Sequence, residues 1–456
     1  MSLDGVLSQA NSGLASIQAQ LSTVSQNVAN ANTTGYVNET LAAESVAAGG
    51  AGEGVRSGVA TRTVDGALSA NLAAASGQVA DADVRNTALA AIDAASGAPG
   101  AGQDLASLVG ALRDAFSTLQ SDPSNETQQR AVANRAASLA GGINTLGRTV
   151  TAQRQTVGDN LVADVATANA ALATVGRLSD QIITARARGQ STADLEDKRD
   201  AAAAAVTQLT GAQFLPQSNG DLLAVSDGTV LPTHAATGPL AIGSATAAPG
   251  SVGPPLTVSG RAASLGNGGS GGGRIGAELD LRDNVLPGVQ AKLEGFAQNV
   301  ATAFSGAGLT LFTDPTGTVP PAGTAGFAQM IQVNPAVTAT PSSVRDGVGG
   351  AAGAAGNTTL IDAVLTNVLG SGTGTIAGQA ASIVADNGTA ASAAGSTLAT
   401  GQAVQSSLSA KLTARTGVSV DTELSSLVAL QNSYSANARV IAAVQTIWTQ
   451  LLNTIQ

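Results

Sequence analysis

Near its start the chain carries a seam. Leu3, Leu7, Ala10, Leu14, Ile17, Leu21, Val24, Val28 and Ala31 recur at alternating spacings of four and three. A repeat of that period keeps one apolar edge turned toward a partner helix, so this segment has to wind against another helix. Ser2 is placed to cap its start, and Asn30, Ala31, Asn32 and then Gly35 end it. The opposite face is unusual. Between Gly5 and Asn38 there is no charged residue, only Ser, Gln, Asn and Thr among the polar positions. A solvated coiled coil carries Glu and Lys beside its seam, so an uncharged polar face predicts a helix enclosed by protein on most sides.

The far end repeats this design. Val420, Leu424, Leu427, Tyr434, Ile441, Trp448, Leu452 and Ile455 form one stripe, widened by Leu430, Val444 and Leu451. Ser419 is a candidate N-cap, and Asp421 and Glu423 suit the positive end of a helix dipole. Past Leu424 the sole charge is Arg439. Two such helices read as partners, with the chain leaving one end of a rod and returning to it. Ser, Gln and Asn interrupt every apolar run well short of the ~20 residues a membrane span needs.

Here the sequence resembles a family. NVANANTTGY (27–36), with Asn30, Asn32, Gly35 and Tyr36, is similar to the signature of the axial proteins of the bacterial flagellum, the rod, hook and hook-associated proteins. Thr34 stands where that signature commonly has Pro. The tail over 417–453 resembles their closing helix. DLEDKRDAAAAAVTQLTG (194–211) and the stretch 272–304 narrow the likeness to the hook-associated protein 1 (FlgK) family.

The resemblance implies a structural subunit of the ring joining hook to filament. It implies polymerisation through the terminal helices, with further copies of itself, the hook protein and the second hook–filament junction protein as neighbours. It also implies an export chaperone on the C-terminal helix, and an extracellular place in the flagellum reached by the type III route. The alternatives are another axial protein (hook protein or second junction protein), or a secreted adhesin or enzyme using the same export route.

Composition agrees with thin helix–helix contacts. Aromatic residues make up 2% of 456 residues, and much of the 43% hydrophobic content is alanine, which lets helix backbones approach closely. Cysteine is absent, so disulfides and thiolate metal sites are excluded. A net charge of −10, with lysine only at Lys198, Lys292 and Lys411, argues against nucleic acid and anionic membranes as partners. The first basic residue is Arg56, so no positively charged leader precedes an apolar run, and no cleavable signal peptide is expected.

In chain order, a two-stranded excursion is expected over 36–64 around a glycine loop. A helix follows from Asp65 to about Gly97, then one capped by Asp104 and stopped by Asp122-Pro123. Asn125 opens the longest helix, running to about Gly189. Its heptad is broken by a stutter from Leu161 to Val165, and Gly141, Gly142, Gly147 and Gly158 weaken it. Ser191 or Thr192 caps the next, which ends at Gly211. Over 211–273 the period changes to two and hairpins are expected. Helix returns at Arg274 through Phe304, loops fill 306–350, and helical segments follow at 360–369, 377–385 and 396–415.

The fold class expected is therefore mainly α, with long helices. The N- and C-terminal helices pair as a coiled coil (1–100 with 390–456), followed by an elongated helical domain (101–210 with 274–389) and a small β insert (211–273). The expected assembly seam is Leu7, Leu14, Ile17, Leu21, Val24 and Val28 with Leu424, Leu427, Tyr434, Ile441, Trp448, Leu452 and Ile455.

Catalytic, metal and cofactor sites are expected to be absent. His234, the single histidine, has no second His or Cys to build a metal site or triad with, and reads as a surface loop residue. A literal GxGxxG at 266–271 lacks the following strand and acidic residue of a dinucleotide fold, and reads as a linker. The run Asp194, Glu196, Asp197, Lys198, Arg199, Asp200 has helical i,i+4 spacings at Asp194–Lys198 and Glu196–Asp200, and reads as an exposed, structural helix face.

Overall fold

The computed structural model describes residues 3–455 apart from 34, 49–50, 264, 266–271, 352, 371 and 373; at 48, 51–53 and 455 it describes backbone alone. Ser2 and the GxGxxG stretch lie outside the described residues.

Helix α1 (Leu3–Asn30) is followed by strands β1 (Glu39–Thr40), β2 (Ala43–Ala48), β3 (Ala51–Ser57) and β4 (Thr61–Arg62). β2 and β3 form an antiparallel hairpin; β1 and β4 pair beneath it, with Glu39 opposite Arg62. The hairpin lies on the uncharged face of α1. The Val55 N–H donates to Ser12 Oγ (3.1 Å), and Ser12 in turn donates to the Gln9 carbonyl (2.9 Å). A β-carbon on Gly54, whose φ is +127°, would fall 2.3 Å from Ser12 Oγ. Gly54→Val is therefore expected to lift the hairpin off α1, read as loss of hydrogen-exchange protection at the Val55 amide.

Next come α2 (Gly66–Ser96), α3 (Leu105–Ser121), α4 (Glu126–Ala187) and α5 (Ala193–Thr210). Asp65, Asp104 and Asn125 cap the first three through backbone amides of the first turn. α4 runs unbroken for 62 residues past its glycines. Packing outweighs their local cost: Val132, Leu139, Leu146, Leu161, Leu172 and Ile182 are all buried along one side.

The insert holds two small antiparallel sheets. One is β5 (Gln213–Pro216), β6 (Leu222–Ser226) and β7 (Thr229–Leu231); the other is β8 (Leu240–Ala241), β9 (Thr257–Val258) and β10 (Arg261–Ala262). Leu240, Leu256 and Val258 share a core with Leu161, Val165 and Leu172 of α4 and with Ile275. The Asn169 side chain clasps the Leu240 backbone, donating to its carbonyl (2.8 Å) and accepting from its N–H (3.0 Å). Arg154, on the buried side of α4, donates to the Arg282 and Ala248 carbonyls (2.9 and 3.0 Å), tying the insert's long loop to the helices.

The helix expected from 274 to 304 is interrupted. α6 (Gly273–Asp280) passes into one π turn (Leu281–Val285) before α7 (Leu286–Gly306). Pro287 has no N–H to give the preceding turn, and the wider turn accommodates its ring.

Short elements follow: β11 (Phe312–Thr313), α8 (Phe327–Met330), β12 (Gln332–Val333), α9 (Pro335–Ala339), α10 (Ser343–Asp346) and α11 (Thr359–Asn367). They close the main core around Phe116, Phe304 and Phe312, whose successive ring centroids lie 6.1 and 5.2 Å apart.

Last are α12 (Ile376–Thr416) and α13 (Val420–Ile455). The segments expected at 377–385 and 396–415 are one helix, antiparallel to α2. Asn387 donates to Ser96 (2.8 Å), Gln405 to Ser76 (2.9 Å), and Arg415 reaches Asp65 (3.6 Å). Gly388, Gly395 and Gly401 face Asp93, Asn86 and Val79 at 3.2–3.3 Å from where a β-carbon would sit. What looks like a weak, glycine-rich gap is the close-approach edge of this pair.

Candidate assembly surface and its joint

α1 and α13 pack antiparallel. Gly13 sits against the Asn437 side chain, while Asn38, beyond the other end of α1, donates to Glu423 at the start of α13 (2.8 Å). On α1, Ala10, Ile17 and Val24 are buried at seven-residue intervals, and Leu7, Leu14, Leu21 and Val28 are half-buried between them.

On α13 the side turned inward is Glu423, Leu427, Leu430, Tyr434, Asn437, Ile441 and Val444, again spaced four and three. The other stripe residues are open. Trp448 (47% exposed), Leu451 (48%) and Leu452 (55%) continue the inward side beyond Val444, and Leu424 (48%) and Val428 (56%) flank it near the start of the helix. α13 thus leaves apolar surface uncovered, partly along the continuation of its inward side and partly beside it. For Ile455 only backbone is described.

The signature stretch builds a joint where α1 ends. The buried Asn27 side chain accepts from Tyr36 Oη (2.9 Å) and from the Glu39 N–H (3.1 Å), and donates to the Glu39 carbonyl (2.9 Å). Asn30 donates to the Gln26 carbonyl (3.0 Å) and accepts from Thr33 Oγ1 (3.2 Å), closing the helix end. Gly35 takes a positive φ of 84° that the turn requires, and Asn32 is exposed. Burial, then the Glu39 and Asp197 carboxylates, push the Tyr36 hydroxyl up to about 12, so it stays a donor. Asn27 lies within the signature, yet a seam-based reading passes over it because a polar side chain carries no periodic signal.

The acidic run at the start of α5 is not an exposed face. Asp194–Lys198 is a solvent-exposed pair (2.7 Å), as its spacing suggests. Glu196 and Asp197, however, are turned inward onto Arg62, which arrives from β4 and is itself only 7% exposed. Arg62 Nε donates to Glu196 (3.0 Å), and Nη1 to Asp197 (2.6 Å) and Asp200 (2.9 Å). Burial raises Asp197 and Glu39 above their ordinary range, whereas hydrogen bonds from Thr192 and Arg186 outweigh burial at Glu196 and hold it low. Asp197 also accepts from the Val37 N–H (3.4 Å), and the Asn38 N–H donates to the Thr416 carbonyl at the end of α12 (2.9 Å). The joint thus gathers the ends of α1 and α12 and the starts of α5 and α13.

His234 is an exposed loop residue, as its isolation in the sequence suggests, but its ring is held in place. Its Nε2 lies 3.0 Å from Asp221 and its Nδ1 3.6 Å from Asp180 of α4, so it helps hold the insert to that helix. Among the described residues no helix is long and apolar enough to cross a membrane.

Three family models match in chain order. Residues 7–36 match "Flagella basal body rod protein", 89–311 match "Flagellar hook-associated protein FlgK helical domain", and 413–454 match "Flagellar basal body rod FlgEFG protein C-terminal". The chain belongs to the FlgK-type flagellar axial proteins. The two flanking matches fall on α1 and α13, and the central one on the helical body and the insert.

Flagellar hook-associated protein 1 of Salmonella typhimurium, and that of Salmonella typhi, are 28% identical over 228 residues. The match takes in 48% of the FlgK-type chain and 40% of each relative, so it spans well under half of their length. Among solved structures, the flagellar hook junction protein FlgK from Burkholderia pseudomallei is similar over 54% of this chain and 45% of that one, at 24% identity and a TM-score of 0.42.

Proposed function

We propose that this chain is a structural subunit of the hook–filament junction, polymerising through its terminal helices and catalysing nothing. The observation that carries the reading is the apolar surface that α13 leaves exposed. It lies on the helix matched to the rod-family C-terminal model, beside and beyond the stretch that α1 covers. Exposed Leu424, Val428, Trp448 and Leu452 are costly on a solitary protein and suit packing against copies of itself. The assembly seam is then divided. Leu7, Leu14, Ile17, Leu21, Val24, Val28, Leu427, Tyr434 and Ile441 hold the subunit's own helix pair, and Leu424, Trp448 and Leu452 face neighbours.

On this reading the neighbours along the axis are the hook protein and the second junction protein. Before export a chaperone shields the exposed apolar surface of α13. The subunit works outside the cell, in the flagellum. Of the expected units, 1–100 with 390–456 divides at the joint, since Ala88 and Ile92 of α2 lie in the body's buried core; the others are 101–210 with 274–389, and 211–273.

The test is deletion of the gene in its host and electron microscopy of the cells. Bare hooks with flagellin shed into the medium are expected, restored by the wild-type chain; normal filaments on the deletion strain would reject the assignment. Val428→Glu supplies a finer check. Val428 is 56% exposed, so the change should alter folding stability by no more than ~0.5 kcal/mol while abolishing complementation.

A further inference from the structure

Among the described residues, none before Val84 and none after Val384 belongs to, or packs against, the buried apolar clusters of the body. α1, the β2–β3 hairpin and α13 therefore share no apolar core with the helices they are attached to. Among the described residues, what fastens them, apart from the chain itself at 63–65 and 417–419, is polar: Arg62 in its acidic socket, the Val37 N–H on Asp197, and the Asn38 N–H on Thr416.

We propose that Arg62 in the Glu196–Asp197–Asp200 socket is an ionic latch that sets the angle at which the terminal helix pair leaves the helical body. The guanidinium is the part that makes the socket specific. Its Nε and Nη1 reach three carboxylates at once, a fork that an ammonium cannot copy.

The surroundings make the latch releasable. Glu39, Asp194 and Glu423 add negative charge around the joint. Of the other cations nearby, Lys198 bonds to Asp194, Arg199 bonds to the Gly220 carbonyl and comes within 3.9 Å of Asp200, and Arg186 pairs with Glu196 at 2.8 Å. Asp197 has Arg62 as its one ion-pair partner among the described residues, and without it would face Glu39 of β1 across the joint and repel it. An apolar seam between the two parts would fix their angle permanently. A charged joint holds one angle and can give it up. This latch stands independently of the junction assignment, since it concerns the single chain.

The natural sequence has no cysteine, which makes site-directed spin labelling clean. Labels at Ser435→Cys on exposed α13 and Thr167→Cys on exposed α4 report the angle as a distance distribution. The labelled full chain is expected to show one narrow peak. Adding Arg62→Ala should remove that peak in favour of a broad distribution, while calorimetry shows the body's thermal transition unchanged. A narrow peak that survives Arg62→Ala would overturn the latch. So would a broad distribution in the parent chain, or loss of the body's transition in the variant, which would make Arg62 part of the general fold.

Discussion

Ile17→Asp is expected to abolish incorporation into the flagellum while leaving the helical body folded. Ile17 is 9% exposed, one turn along α1 from Gly13, which faces Asn437 of α13. An unpaired carboxylate there loses its water and gains no partner, which costs roughly 3–5 kcal/mol. The α1–α13 pair has little to set against that. Its inward side offers alanine, a few Leu, Ile and Val, one Tyr and two polar residues, and it borrows no support from the body's core. The body keeps Phe116, Leu139, Phe296 and Phe304 fully or nearly fully buried and should retain its own calorimetric transition. Complementation of a deletion strain gives the first readout and calorimetry the second. Motile cells carrying Ile17→Asp, or a body that melts along with the termini, would contradict the two-part architecture.

The parts legible in the sequence were those governed by local chemistry. The α1 seam repeats strictly, so its partner-facing edge can be read without knowing the partner. Asp65, Asp104 and Asn125 announce helix starts because capping depends only on the next three residues.

The rest depends on what arrives from afar. Glu196 and Asp197 have the spacing of a solvated face, and nothing on α5 signals that Arg62, more than 130 residues earlier, will bury them. The stretch 386–395, with Gly388 and Gly395, falls between the expected helical segments because the benefit of those glycines lies in the proximity of α2. On α13 the apolar stripe runs on past Val444 through exposed Trp448, Leu451 and Leu452, so the sequence shows the stripe but not how much of it α1 covers. Polar Glu423 and Asn437 sit on the α1 side, where a hydrophobicity count does not look for them. The π turn before Pro287 likewise follows from a single missing donor inside an otherwise regular helical pattern.

Glu278→Gln is expected to stabilise the body at neutral and alkaline pH, and to do little in acid. The Glu278 side chain, on α6, is fully buried, and its nearest charges are Asp164 and Arg274, which pair with each other at 2.6 Å. Burial, then the Asp164 carboxylate, push its pKa up to about 9 from an ordinary 4.5. The folded chain therefore binds a proton here that the unfolded chain releases once the pH passes 4.5. Stability contributed by the neutral carboxyl is complete below that value and is lost as pH rises toward 9, at about 1.4 kcal/mol per unit. Between pH 5 and pH 8 the loss is about 4 kcal/mol. Glutamine has the shape of the neutral acid and never ionises, so it removes this slope while keeping the packing of α6 on α4. The melting temperature of Glu278→Gln should match the parent near pH 5 and exceed it by several degrees at pH 8. Equal melting at both pH values would mean that the carboxyl is not held neutral in the fold. A gain of the same size at pH 5 would assign the effect to packing instead of ionisation.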